Sequence, residues 1–123
     1  MRIHLGGSSR QSLVVARGKL DAAVKGATAA NASELSSQLF FAADVLSKNT
    51  SIRRAFADPA RDAASKGALV KDLFAQSLAA TALEILTGVS TLRWSAAGDL
   101  VHVLEQLAIE AEASAANVSN ELD

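Results

Sequence analysis

Cysteine and tyrosine are absent from this 123-residue chain, and proline, methionine and tryptophan occur once each. The lack of cysteine excludes disulfides and thiolate chemistry. With one proline and seven glycines, few positions can break a helix. No stretch approaches the roughly 18 apolar residues that a membrane helix needs, so direct membrane insertion is not expected. The opening "MRIHLGGSSR" lacks the apolar run of a signal peptide, and a cytoplasmic protein is the simplest reading. Twelve basic residues face thirteen acidic ones. The basic ones are scattered and form no stripe, which argues against nucleic acid as a partner.

Catalytic chemistry is also missing. There is no GxGxxG and no GxxxxGK[ST], and the pair Gly6-Gly7 lacks the strand a phosphate loop requires. His4 and His102 have no HxxxH or HxxE companion and read as surface residues, so no metal site is expected. Glu105, Glu110 and Glu112 fall outside an apolar stripe and read as the solvated face of a helix. No catalytic residue and no cofactor is assigned.

What the chain has is apolar residues at helical spacing. Half of the residues are hydrophobic and 20% are charged, a balance that favours a folded core over disorder. The pattern predicts an all-α, six-helix bundle. The first helix runs from about Ser9 to Lys25, with Leu13, Ala16, Leu20 and Val24 inward and Gly26 as its stop. The second opens at Asn31 with Glu34 as a capping-box partner. Thr50 caps a short third helix that ends near "ADP". Asp58 and Pro59 read as the cap and first residue of a fourth, running through "RDAASKGALVKDLF". Ser77 caps a fifth, about Leu78 to Arg93, and Ser95 caps a sixth that carries Leu100, Val103, Leu104, Leu107 and Ala111. Residues 1–8 read as a flexible leader, 9–111 as the bundle, and 112–123 as a polar helical or frayed tail.

Two helices carry more apolar surface than one stripe requires. On the first, Val15, Gly18 and Ala22 lie away from the inward stripe. On the fifth, Leu78, Ile85 and Leu92 extend past the Leu83/Leu86 stripe, with Gly88 alongside. Either neighbouring helices cover these faces or they form a groove for an outside partner. Glycine in a helix interior costs about 1 kcal/mol relative to alanine, and Gly18 and Gly88 therefore suggest the close approach of another helix, for which an amphipathic helix is the natural ligand. Trp94 sits one residue before the Ser95 cap. The fourth residue of that helix is Asp99, so the usual hydrophobic staple fails and contact with Leu100 or the end of the fifth helix is expected, a structural role rather than a binding one.

The segments "SSRQSLVVARGKLDA", "FADPARDAASKGALVKDLF" and "RWSAAGDLVHVLEQLAIEA" together resemble the N-terminal domain of the delta subunit of bacterial F-type ATP synthases, particularly the actinobacterial form, from about Ser9 to Ala111. The resemblance implies a six-helix bundle. It also implies a non-catalytic stator component of the peripheral stalk, located on the cytoplasmic face of the plasma membrane. Its partner would be the N-terminal amphipathic helix of an alpha subunit, held between the first and fifth helices. Val15, Gly18, Ala22, Ile85, Gly88 and Leu92 are the candidate partner-binding residues. The family continues into a region that engages the b subunit, and this chain stops before it. The alternative is a free-standing helical adaptor or regulator that binds an amphipathic helix of another protein.

Overall fold

The structure, a computed structural model, describes residues 7–58 and 60–122, with side chains as far as residue 117. The His4 and Pro59 expectations, and most of the 1–8 leader, lie outside these residues. Six helices follow in order: α1 (Gly7–Val24), α2 (Ala29–Lys48), α3 (Thr50–Ala57), α4 (Ala63–Phe74), α5 (Ala80–Ser90) and α6 (Ala97–Leu122). No strand occurs among the described residues, and the fold is an all-α bundle. Among the described residues no helix is long and apolar enough to cross a membrane.

The longest two helices make the most extensive contact, α2 against α6. Leu35, Leu39, Ala42, Ala43 and Leu46 meet Leu100, Leu104, Leu107, Ala108 and Ala111 in one buried cluster. Alanines at these positions let the backbones come close enough for the Ser36 hydroxyl to donate to the Ala108 carbonyl at 2.7 Å. The packing does not stop at Ala111. Ala115 is buried, Ser33 donates to Glu112, and α6 continues through the segment expected to be a tail. Phe56 of α3 and Phe74 of α4 close one side edge to face, with ring centroids 6.2 Å apart.

Several helix starts differ from expectation. Thr28, not Asn31, caps α2: its hydroxyl accepts the Asn31 amide at 3.1 Å. Asp62, not Asp58, caps α4, with its carboxylate accepting the Ser65 amide at 2.7 Å. That bond holds the Asp62 carboxyl below the ordinary carboxylate range. Asp58 stays extended, as a residue before proline should, and accepts the Ala60 amide instead. Neither Ser77 nor Leu78 belongs to α5. It starts at Ala80 after Ala79, which has no capping side chain of its own and donates its amide to Gln38 of α2. Asn49 precedes α3 in place of Thr50, and α6 starts at Ala97, past Ser95.

The end of α1 follows the expected rule. Gly26 has φ +77°, a left-handed conformation that a Cβ would disfavour. Its start was not foreseeable from hydrophobic spacing. Ser9 and Ser12 face inward with Ala16 and Leu20, and both are buried. Ser9 donates to Asp99 of α6 and accepts the Ser95 amide, each at 2.7 Å, while Ser12 donates to the Arg93 carbonyl. Polar bonds therefore fasten the first turns of α1 to the α5–α6 corner. Trp94 occupies that corner, 9% exposed, and its indole N–H donates to the Val89 carbonyl near the end of α5 at 3.1 Å.

Candidate functional site

Helix α1 touches α6 on one flank and α5 on the other. The α6 flank is closed by an ion pair between Arg17 and Glu110 at 2.9 Å. The α5 flank is open. An antiparallel register sets Lys19 beside Gly88 and Ala22 in the same depression as Ile85. The depression, about 360 Å³, is lined by Lys19, Ala22, Ala23, Thr81, Glu84 and Ile85. A second one, about 320 Å³, lies between the α1–α2 turn and the start of α5. Ala23 and Thr81 line both, so the two adjoin, and the first is the trough on the α1–α5 seam.

The six residues singled out from the sequence take different places. Ala22 is exposed and stands on the α1 wall, and Val15 is 48% exposed elsewhere on α1. Ile85 is 4% exposed and belongs to the core, where it serves as floor. Leu92 is half-buried against the same core. Gly88 lies under the Lys19 side chain. Gly18 falls roughly 160° around the helix from Ala16 and Leu20, on the outward ridge, and a Cβ there would meet nothing within 4 Å. Of the six, Ala22 and Ile85 line the depression and Gly88 lies next to it under Lys19, whereas Gly18 points outward.

Projection of the apolar residues passes over the trough's charged rims. Lys19 lies on the α1 side and Glu84 on the α5 side, and no ion pair within 4 Å joins them among the described residues. Their signal in the sequence is that each sits next to the surplus apolar face, where a charge flanks a groove as readily as it faces solvent. An apolar floor with one cation and one anion on opposite walls suits the apolar face of an amphipathic helix.

One buried charged group outside the seam serves the fold. Lys66 of α4 is 2% exposed and its ammonium donates to the Ser90 carbonyl at 2.6 Å, at the negative end of the α5 dipole. Burial pushes the Lys66 ammonium below the ordinary lysine range, with nearby Asp58 opposing. Among the described residues no group of three or more His, Asp or Glu side chains is placed to hold a metal ion.

No protein-family profile matches the chain. Individual relatives do. It is 36% identical to the ATP synthase subunit delta of Streptomyces coelicolor over 117 residues, which is 95% of this chain and 42% of that protein. It is 34% identical to the protein of that name from Salinispora arenicola over 115 residues, again 42% of the relative. With the Beutenbergia cavernae subunit delta the figures are 33% over 93 residues, 76% of this chain and 34% of the relative. The chain spans about two fifths of the length of the curated relatives it matches.

Proposed function

Since the chain belongs to the ATP synthase delta-subunit family, which it matches over the N-terminal domain, we propose that it is a non-catalytic stator element of the peripheral stalk of a proton-translocating F-type ATP synthase. On this proposal the α1–α5 trough receives the N-terminal amphipathic helix of one alpha subunit, at the cytoplasmic face of the membrane. The b subunit would engage a region beyond the part of the relatives that this chain spans. The observation that supports the reading is the open depression between α1 and α5, with exposed Ala22 above a floor of buried Ile85.

A stator joint has to hold the catalytic head still against rotor torque, so it needs slow dissociation rather than chemistry. Burying about 400 Å² of apolar surface contributes about 10 kcal/mol at 25 cal/mol per Å². Ordering the incoming helix takes back about 2–5 kcal/mol and association takes more. The free peptide is therefore expected to bind modestly. Within one assembled complex its effective concentration is about millimolar, enough for the joint to stay closed.

Calorimetric titration of a peptide comprising the alpha subunit's N-terminal helix tests the proposal. The wild-type chain should bind it. Ala22→Phe fills the trough from an exposed position, so the bundle should stay folded while affinity falls by about tenfold or more. Gly18→Leu, on the outer ridge, should have the smaller effect. Equal affinity of wild type and Ala22→Phe would reject the seam as the binding site.

A further inference from the structure

We propose, on the basis of the groove reading above, that Lys19 is a displaceable cover over Gly88 and that its ammonium selects a carboxylate on the incoming helix. Lys19 lies on the exposed surface of α1, yet its side chain is laid flat across α5. Its Cδ and Cε would stand 3.1 Å from a Cβ placed on Gly88, and its Nζ 3.2 Å. A Cβ at residue 88 would make the lysine stem give way by a few tenths of an ångström, and a larger side chain would compete with it for this surface. Glycine is a poor helix-interior residue, and here its bare backbone gives the four-carbon stem a surface to cover while the ammonium stays in water.

The two cations on this part of α1 have different duties. Arg17 is committed to Glu110 and locks α1 to α6. Lys19 has no ion-pair partner within 4 Å among the described residues, although Glu84 lines the same depression. A flexible stem with an uncommitted charge can leave Gly88 without breaking a bond. The helix that replaces it meets α5 closely at Gly88 only if it carries a small residue there. A carboxylate on its α1-facing side then pairs with the displaced ammonium, and a cation on its other side is matched by Glu84. The occupant is thus an amphipathic helix with an acid and a base on opposite edges of its apolar face, and the two rims fix which way it lies.

The test uses the 123-residue chain and the synthetic alpha-subunit N-terminal peptide, with its acidic residues intact or changed to the amides. In the free chain, nuclear Overhauser contacts should join the Lys19 ε-protons to the Gly88 α-protons, and these should vanish on saturation with peptide. Lys19→Met keeps an apolar stem without charge, and should weaken binding about two- to fivefold at low salt and flatten its salt dependence. The amide peptide should no longer distinguish Lys19→Met from wild type. Persistence of the Lys19–Gly88 contacts in the saturated complex, or equal affinity of Lys19→Met and wild type for the acidic peptide at low salt, overturns the inference and leaves the groove standing. No binding to wild type overturns the groove and the inference together.

Discussion

Replacing Trp94 tests whether the α5–α6 corner is held by volume or by a hydrogen bond. The side chain is 9% exposed. An aromatic of this class buries about 200 Å², so Trp94→Ala forfeits up to about 5 kcal/mol at 25 cal/mol per Å², the upper end of the ~3–5 kcal/mol usual for tryptophan to alanine in a core. Trp94→Phe removes the N–H donor and one ring but leaves most of the volume. The Val89 carbonyl would still accept the Leu92 amide at 3.1 Å, so no buried acceptor is orphaned and the expected loss is about 1–2 kcal/mol. A domain of this length has a total stability of about 6–18 kcal/mol, and Trp94→Ala should remain folded but shift its urea midpoint strongly. Far-ultraviolet circular dichroism follows all three proteins. In the wild type, fluorescence of the sole tryptophan reports the corner alone, and coincidence of the two transitions establishes two-state unfolding. A Phe variant as damaged as the Ala variant would refute the volume argument, and an Ala variant losing under about 1 kcal/mol would refute the structural role altogether.

The two titrating groups with displaced values give opposite pH signatures. Asp62 is held below its usual value by the Ser65 amide, so the folded state binds its proton less tightly than the unfolded chain. The stabilisation is present above pH 3.8, the ordinary value, and is lost as pH falls through the lower folded value. Asp62→Ala should therefore lower the urea midpoint at neutral pH, and the gap from wild type should narrow in the acid range. A constant gap would reject the capping account. Lys66 is pushed down from 10.5 by burial. Below the lowered folded value it is charged in both states and its desolvation cost is fully present. As pH rises through the lowered folded value towards 10.5, the unfolded chain binds more protons than the folded one, so stability contributed by this group rises. Urea midpoints of wild type should climb relative to Lys66→Met over that alkaline window, and parallel profiles would contradict the shift.

Helix number could be read from apolar spacing because burial of one face is a local pattern with a fixed period, although on α5 the buried stripe runs through Ile85 and not Leu83. The helix starts could not, because caps compete within a few residues and tertiary contacts choose between them. Thr28 and Asn31 both offer an oxygen, as do Asp58 and Asp62, and only the chain path decides which meets an orphan amide. At α5 the acceptor beside Ala79 comes from Gln38 on another helix, which no local rule can see. Ser9 and Ser12 were hidden for the same reason. A serine reads as polar until its partners, Asp99 and the Arg93 carbonyl, are brought next to it from the far end of the chain. Helices α1 and α5 do lie side by side, with Ala22 and Ile85 in one depression between them, but the angular projection could not separate core from surface, so Ile85 proves buried and Gly18 outlying.

That division follows from how α1 is attached. Its inward face is small, with Ser9, Ser12 and Ala16 ahead of Leu20, and burying such residues yields little of the apolar stabilisation that α2 and α6 share. The helix is fixed instead at its start, by hydrogen bonds to Ser95, Asp99 and Arg93, and at its α6 flank by Arg17. A helix held by directional bonds at one end and one flank needs no bulky contact on the other flank. This leaves the α5 side free to exchange the Lys19 stem for another surface without loosening the bundle. Loss of the start bonds should therefore reach the seam. In Ser9→Ala the Asp99 carboxylate and the Ser95 amide lose their shared partner, and hydrogen exchange should quicken first in the opening turns of α1, while the α2–α6 amides keep their protection. If exchange quickened equally in all helices, α1 would be an integral part of the cooperative core, and the account of a separately fastened helix would fail.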